Sequence, residues 1–275
     1  MKQLFSLHKI SVSVFVIFLF SSASAGDPLY FSAGAGEMGM SNTCIMKSGF
    51  WSAFHNQATL PYYKALSAGV NYENRFNISE LGTRTAGLVV PAGNACLAAI
   101  YSHFGYGDFT RQSAGLACGL KFSEKISGGV QVDYLAEKAS GEYNDRQSLT
   151  FETGICYLPS DKIRLGVHLF NPVPGSWRKR VLPSSIRAGA GIYLSKVLFA
   201  GAEVEMETRR EPVARIGFEY ETLKNFWFRG GFSSENTSFS FGIGYLVKFV
   251  QIDLGFATHE KLGVTSSASI IFQIK

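Results

Sequence analysis

From about residue 65 to the C-terminus, apolar and small or polar side chains alternate with a period of two. In 238–247, Phe239, Phe241, Ile243, Tyr245 and Val247 alternate with Ser240, Gly242, Gly244 and Leu246. In 249–258, Val250, Ile252, Leu254 and Phe256 alternate with Gln251, Asp253 and Gly255. The same holds for Leu66, Ala68, Val70 and Tyr72 against Ser67, Gly69, Asn71 and Glu73. A period of two places one residue class on each face of a strand. Fourteen such segments follow one another: 65–76, 81–90, 94–104, 111–122, 126–136, 147–157, 162–170, 185–194, 197–206, 212–220, 225–233, 238–247, 249–258 and 263–274. The segments 81–90 and 94–104 alternate least clearly. Most have the roughly nine to eleven residues that a tilted strand needs to cross a bilayer.

The connections carry a second regularity. After the first strand, every other connection (77–80, 105–110, 137–146, 171–184, 207–211, 234–237, 259–262) runs four to fourteen residues, and the intervening ones run one to four. Long loops at one end and tight turns at the other are the habit of an outer-membrane barrel. The sequence therefore predicts an all-β, transmembrane antiparallel β-barrel of about 14 strands, spanning residues 64–275. In such a barrel the greasy face meets lipid and the polar face lines the lumen.

That face assignment predicts a lumen lined by Glu73, Arg75, Arg84, Asp133, Glu152, Arg164, His168, Arg187, Glu203, Arg215, Arg229 and Asp253, with Glu205, Glu219 and Lys121 beside them. Acids and bases balance in this set, which favours a salt-bridged interior over an ion-selective pore. Phe122, Tyr157, Tyr193, Tyr220, Phe226, Tyr245 and Phe249 flank the short turns and are expected to form an interfacial belt.

Two stretches fall outside the pattern. Residues 1–25 have basic Lys2 and Lys9, an apolar run over 10–20 and the small-x-small site Ala23-Ser24-Ala25, which reads as a cleaved signal peptide. Removing it takes 26 basic residues to 24 against 21 acidic ones, a net charge of +3. That is too small and too scattered for nucleic acid to be a partner. Residues 26–63 lack alternation and are expected to fold into the lumen as a hatch or plug, with a short helix around 50–55. Composition agrees with this arrangement. Charged residues are 17% of the chain, below the usual quarter of a soluble domain, while Gly reaches 29 and Phe 23.

Candidate chemistry is sparse. Gly34-x-Gly36-x-x-Gly39 has dinucleotide-fingerprint spacing but no βαβ unit around it, so no nucleotide cofactor is expected. His168 has no motif placing a nucleophile near it, and the expectation is a non-enzyme with no catalytic residues. Cys44, Cys96, Cys118 and Cys156 lack metal-ligand spacing, so no metal is expected, while three disulfide pairings stay open.

The run Gly34-Ala35-Gly36-Glu37-Met38-Gly39-Met40-Ser41-Asn42-Thr43 resembles the opening of FadL-like outer-membrane barrels, in particular the PorV/PorQ branch. So does Trp51-Ser52-Ala53-Phe54-His55-Asn56-Gln57-Ala58-Thr59-Leu60, where that superfamily has Trp-Ala-x-x-x-Asn-Pro-Ala-x-Leu. Gln57 stands in place of the usual Pro. Two further stretches are similar, Tyr72-Glu73-Asn74-Arg75-Phe76 and Gly166-Val167-His168-Leu169-Phe170-Asn171-Pro172. The resemblance implies a Gram-negative outer-membrane location, contact with lipid and lipopolysaccharide, and a hatch built on Gly34, Gly36, Met38, Gly39, Trp51, Phe54, Asn56, Gln57 and Ala58. It implies either of two roles. FadL-type members pass hydrophobic or small amphipathic compounds across the outer membrane. PorV/PorQ-type members serve type IX secretion as accessory barrels that bind a partner of the secretion machinery. The loops here are shorter than the resemblance leads one to expect, except 171–184, whose Arg178-Lys179-Arg180 could meet lipopolysaccharide phosphates. An outer-membrane hydrolase or a secreted soluble β-protein fits less well. A chain of this pattern should stay in the membrane pellet through a carbonate wash and leave it only with detergent. Release by the wash alone would mark a soluble sandwich.

Overall fold

The computed structural model describes residues 32–140, 145–172, 182–208 and 210–274. The expected signal peptide, the first residues of the expected hatch (26–31) and the basic stretch Arg178-Lys179-Arg180 lie outside the described residues.

Among the described residues, fourteen strands form one closed ring: β1 (Leu66–Asn74), β2 (Gly82–Ala92), β3 (Ala95–Tyr106), β4 (Phe109–Lys121), β5 (Ile126–Ala139), β6 (Arg146–Tyr157), β7 (Ile163–Phe170), β8 (Ser185–Tyr193), β9 (Leu198–Glu207), β10 (Val213–Leu223), β11 (Phe226–Ser233), β12 (Ser238–Val247), β13 (Val250–His259) and β14 (Gly263–Ile274). Each pairs antiparallel with its neighbours in the chain. The ring closes where β1 meets β14, in register from Leu66 opposite Ile274 to Asn74 opposite Ser266. Closure leaves no unpaired edge, the condition for a sheet to stand in an apolar surround. All fourteen expected strands are present. The connection expected at 105–110 shrinks to 107–108, because β3 and β4 run on to Tyr106 and from Phe109.

Alternation sorts the side chains as expected on most strands. Val70, Leu116, Val130, Ile155, Ile216, Phe241 and Phe272 point outward and are exposed, Leu116 to 71%. Ser67, Asn71, Gln131, Ser240, Ser267 and Ser269 point inward and are buried. They are buried because residues 32–63 occupy the inside of the ring. This segment forms a short helix, Ala35–Gly39, and two 3-10 turns, Phe50–Phe54 and Gln57–Tyr62.

Two apolar clusters join the segment to the wall. Phe50, Trp51, Phe54 and Leu60 pack with inward Val89, Cys96, Ala98, Ile100, Ala117 and Ile271. The rings of Phe50 and Trp51 meet edge to face with centroids 4.7 Å apart. Met40, Ile45 and Met46 pack on Phe199 farther round the ring. The first cluster explains the weak alternation of 94–104, since β3 turns Cys96, Ala98 and Ile100 inward to the aromatic turn and Leu97 and Tyr101 outward; on β2 the pattern is blurred by inward Val89 and outward Arg84. Tyr193 departs from the expected belt. It points inward and packs against Phe199, the two rings tilted with centroids 5.0 Å apart.

Glycines let the segment approach the wall. They stand in register on neighbouring strands, Gly119 opposite Gly129 opposite Gly154 on one side, and Gly201 opposite Gly217 opposite Gly231 on the other. A Cβ at Gly217 would sit 2.5 Å from the Met40 carbonyl oxygen, and one at Gly166 2.7 Å from that of Ile45. At Gly129 it would collide with the Gln57 backbone. No real side chain tolerates such contacts with main chain, which cannot swing aside. Replacing Gly129 or Gly217 with Val should lower stability to denaturant in detergent by about 1–3 kcal/mol, whereas Val at outward Ala114 should leave it unchanged.

Candidate functional site

A cavity of about 410 Å³ lies at the end of the ring that carries the longer connections. Met38, Ser41 and Asn42 of the N-terminal segment form its floor. Its walls bring together Glu73, Arg75, Arg187, Glu205, Arg210, Arg215 and Glu235, with apolar surface from Phe76, Ala257 and Leu262. The ion pairs are close: Arg75 Nε to Glu73 Oε1 is 2.9 Å, Arg215 Nη1 to Glu205 Oε2 is 2.5 Å, and Arg210 Nη2 to Glu235 Oε1 is 2.5 Å. The space suits a small molecule with both a polar and an apolar part.

Beneath this vestibule, buried polar groups tie the segment to the wall. Arg229 on β11 donates from Nε to Glu219 Oε2 and from Nη1 to Asp253 Oδ1, both at 2.7 Å. Lys47 of the segment donates to the same Glu219 at 3.1 Å, so one wall carboxylate holds a wall cation and a segment cation together. On β8 and β9, Arg187 donates to Glu203 at 2.6 Å and to the Asn42 carbonyl at 2.7 Å, while Glu203 Oε1 accepts from the Ile45 amide at 2.7 Å. On β6 and β7, Glu152 accepts from Gln57 Nε2 at 2.6 Å and is hydrogen-bonded to His168 Nε2 at 2.9 Å. Charges removed from water in this way are tolerable because each keeps partners. Glu37, in the segment's helix, is pushed up to about 7 by burial, with the charge of Asp253 adding to that and Arg229 and Lys47 opposing it.

The expected hatch residues Gly34, Gly36, Met38, Gly39, Trp51, Phe54, Asn56, Gln57 and Ala58 are all buried inside the ring. Gly34 adopts φ +107°, open to glycine, and Gly39 faces Gly242 backbone to backbone. Asn56 caps the second 3-10 turn, its Oδ1 accepting from the Ala58 amide at 3.1 Å while Nδ2 donates to the Ile45 carbonyl at 2.8 Å. Gln57, which stands where the superfamily pattern has Pro, begins that turn and gains the bond to Glu152.

Of the expected lumen residues, Glu73, Asp133, Glu152, His168, Arg187, Glu203, Arg215, Arg229 and Asp253 are inward and buried. Arg164 is inward at the turn end, its guanidinium 5.2 Å from the Tyr193 ring and 5.9 Å from that of Tyr62. Arg75 sits in the connection after β1, at the vestibule rim. Arg84 is a correction. Thr83, Thr85 and Val89 are its buried inward neighbours, so Arg84 points outward, opposite Tyr72 on β1. There, near the strand end, its guanidinium can reach the polar boundary of an apolar belt.

Lys47, Gln131 and Asn42 belong to the interior and were not singled out in the sequence. Gln131 shares its parity with Gly129 and Asp133, a signal that was available. Lys47 and Asn42 lie in a segment without periodicity, where no such signal exists. The four cysteines are free thiols.

No protein-family model and no curated protein matches the sequence. Solved structures do. A Pseudomonas aeruginosa FadL homologue superposes with a TM-score of 0.65 at 12% identity, covering 90% of this chain and 98% of that one. The Ralstonia pickettii toluene transporter TbuX gives 0.67 at 13% identity, covering 90% and 98%. The Pseudomonas putida toluene transporter TodX gives 0.67 at 12% identity, covering 90% and 99%. The chain has the FadL-type fold. At such low identity the likeness concerns the path of the backbone, and side-chain chemistry has to be read from this chain's own interior.

In that interior Arg229 is the residue most committed to pairing. Arg229→Met would leave Glu219 and Asp253 without it and should cost about 3–5 kcal/mol of stability, measured by unfolding in detergent. Combining it with Glu219→Gln and Asp253→Asn should recover part of the loss.

Proposed function

We propose that this chain is an outer-membrane passage protein for small hydrophobic or amphipathic molecules. In this reading residues 32–63 act as the hatch and the polar-rimmed cavity is the first binding place. The observation that carries it is the pairing of a FadL-type ring with a cavity floored by the N-terminal segment. A molecule entering from the loop end meets a place to bind before it meets an obstruction. The apolar belt supports placement in the outer membrane, since an exposed greasy girdle is stable only in lipid. The FadL homologue, TodX and TbuX support the transport class. The charged vestibule favours a ligand that carries a polar group over a plain hydrocarbon. No chemistry is assigned to the protein beyond binding and passage.

A second reading is an accessory barrel of the PorV/PorQ kind that binds a secretion partner and never opens. The motif residues around Gly34–Asn42 and Trp51–Leu60 favour it, together with the number of buried bonds holding the segment to the wall and the short connections.

One experiment separates the two. Ser41 Oγ and Ser240 Oγ are 3.0 Å apart, one on the segment and one on β12. A Ser41→Cys/Ser240→Cys variant, in a background with the native cysteines changed to Ala, can lock the segment to the wall. In proteoliposomes the reduced form should pass a medium-chain fatty acid faster than protein-free vesicles do, and the oxidised form should show only the protein-free rate. Absence of passage in both forms would discard the transport reading and leave the accessory one.

A further inference from the structure

One inward cluster lies apart from the vestibule and shares only Glu152 with the polar groups beneath it. Ser113 on β4, Gln131 and Asp133 on β5, and Glu152 on β6 line a pocket of about 10 Å³, walled on its other sides chiefly by Phe54 and Phe170. That space suits one water-sized particle. Asp133 can lean into it because Gly115, its register partner on β4, has no side chain.

The polar atoms around the pocket are mismatched. Gln131 Nε2 donates to Asp133 Oδ1 at 2.8 Å, which fixes the amide, since the flipped form would set two oxygens together. Gln131 Oε1 and Asp133 Oδ2 are buried with no hydrogen-bond partner, on residues each only 2% exposed. The Glu152 carboxyl lies within hydrogen-bonding reach of Asp133 and accepts from Gln57 Nε2 on its other side. Two carboxyl groups and an amide oxygen thus converge on one small space with no N–H donor directed at the two orphaned oxygens. Like charges so close in a desolvated place need a counter-charge. A proton shared by the two carboxyls would satisfy Asp133 Oδ2 and leave Gln131 Oε1 orphaned. A cation satisfies both.

We propose that this pocket binds a single hard cation of the Ca²⁺ class through Asp133, Glu152 and the Gln131 amide oxygen, with the Ser113 hydroxyl beside it. Mixed carboxylate and amide oxygens are the ligand set such ions take, and two carboxylates match a divalent charge. Because Glu152 also holds Gln57 of the N-terminal segment, the bound ion would stiffen the contact between segment and wall.

The test uses the whole protein refolded in detergent, free of lipopolysaccharide, which itself carries divalent ions. After dialysis against buffered Ca²⁺, elemental analysis should find one calcium per chain. Added Ca²⁺ should raise the melting temperature of the EGTA-treated protein. Both effects should vanish in Asp133→Asn and persist in Glu137→Gln, an acid elsewhere on β5. Gln131→Leu keeps both carboxyls and should weaken calcium binding by about tenfold or more, which keeps the question answerable if Asp133→Asn does not fold. Calcium no higher in the native protein than in these variants overturns the proposal. So does a melting temperature indifferent to Ca²⁺ that falls as the pH is raised, the mark of a shared proton.

Discussion

The whole structure depends on contact between main chain and main chain across the barrel interior. A ring of fourteen strands turns its apolar side chains outward, so its inside cannot be held together by the same residues. What fills it is the N-terminal segment, and the fit is set by positions where the wall has no side chain. Gly129 meets the backbone of Gln57, Gly217 and Gly231 meet Met40, and Gly242 meets Gly39. With the backbones this close, carbonyls and amides of the segment come within reach of short wall side chains. Ser127 donates to the Ala58 carbonyl at 2.6 Å, and the Ala35 amide donates to Ser269 at 3.1 Å. The wall thereby satisfies polar groups that no water-filled lumen is needed to serve.

The ion pairs follow from that fit. Once the segment stands against the wall, Arg187, Glu203, Glu219 and Arg229 lose their access to water and must be satisfied by one another and by Lys47, Asn42 and Ile45. Glu203 and Glu219 are each shared between a wall donor, Arg187 or Arg229, and a segment donor, the Ile45 amide or Lys47. The segment is held by several such shared groups spread around the ring, with the aromatic cluster on one side and Met40, Ile45 and Met46 toward the other. Movement of the segment as one piece would have to release them together.

The strands were legible because a period of two is written in every one of them, and the ring followed from their number and lengths. Legibility failed where a second demand was superimposed. On β2 the inward face mixes Thr83 and Thr85 with Gly87 and Val89, while Arg84 stands among outward Ala86 and Leu88, so polarity alone points Arg84 the wrong way. Tyr193 looked like one more rim aromatic, since nothing local says that Phe199 waits inside. The interior of 32–63 was readable only through motif likeness, for Gly34, Trp51 and Asn56, because an aperiodic segment takes its shape from the cavity it fills. Lys47 needed three-dimensional contact to be seen at all, whereas Gln131 shares a strand face with Asp133 and was within reach of the alternation.

The seam between β1 and β14 sets the order of events in the protein's own construction. The first and last strands are hydrogen-bond partners, so the cylinder is incomplete until β14 is in place. The filling is encoded before any strand and exists before there is a wall to enclose it. The pairing of residue 66 with residue 274 joins the two ends of the strand sequence, and contacts so far apart in the chain are slow to form.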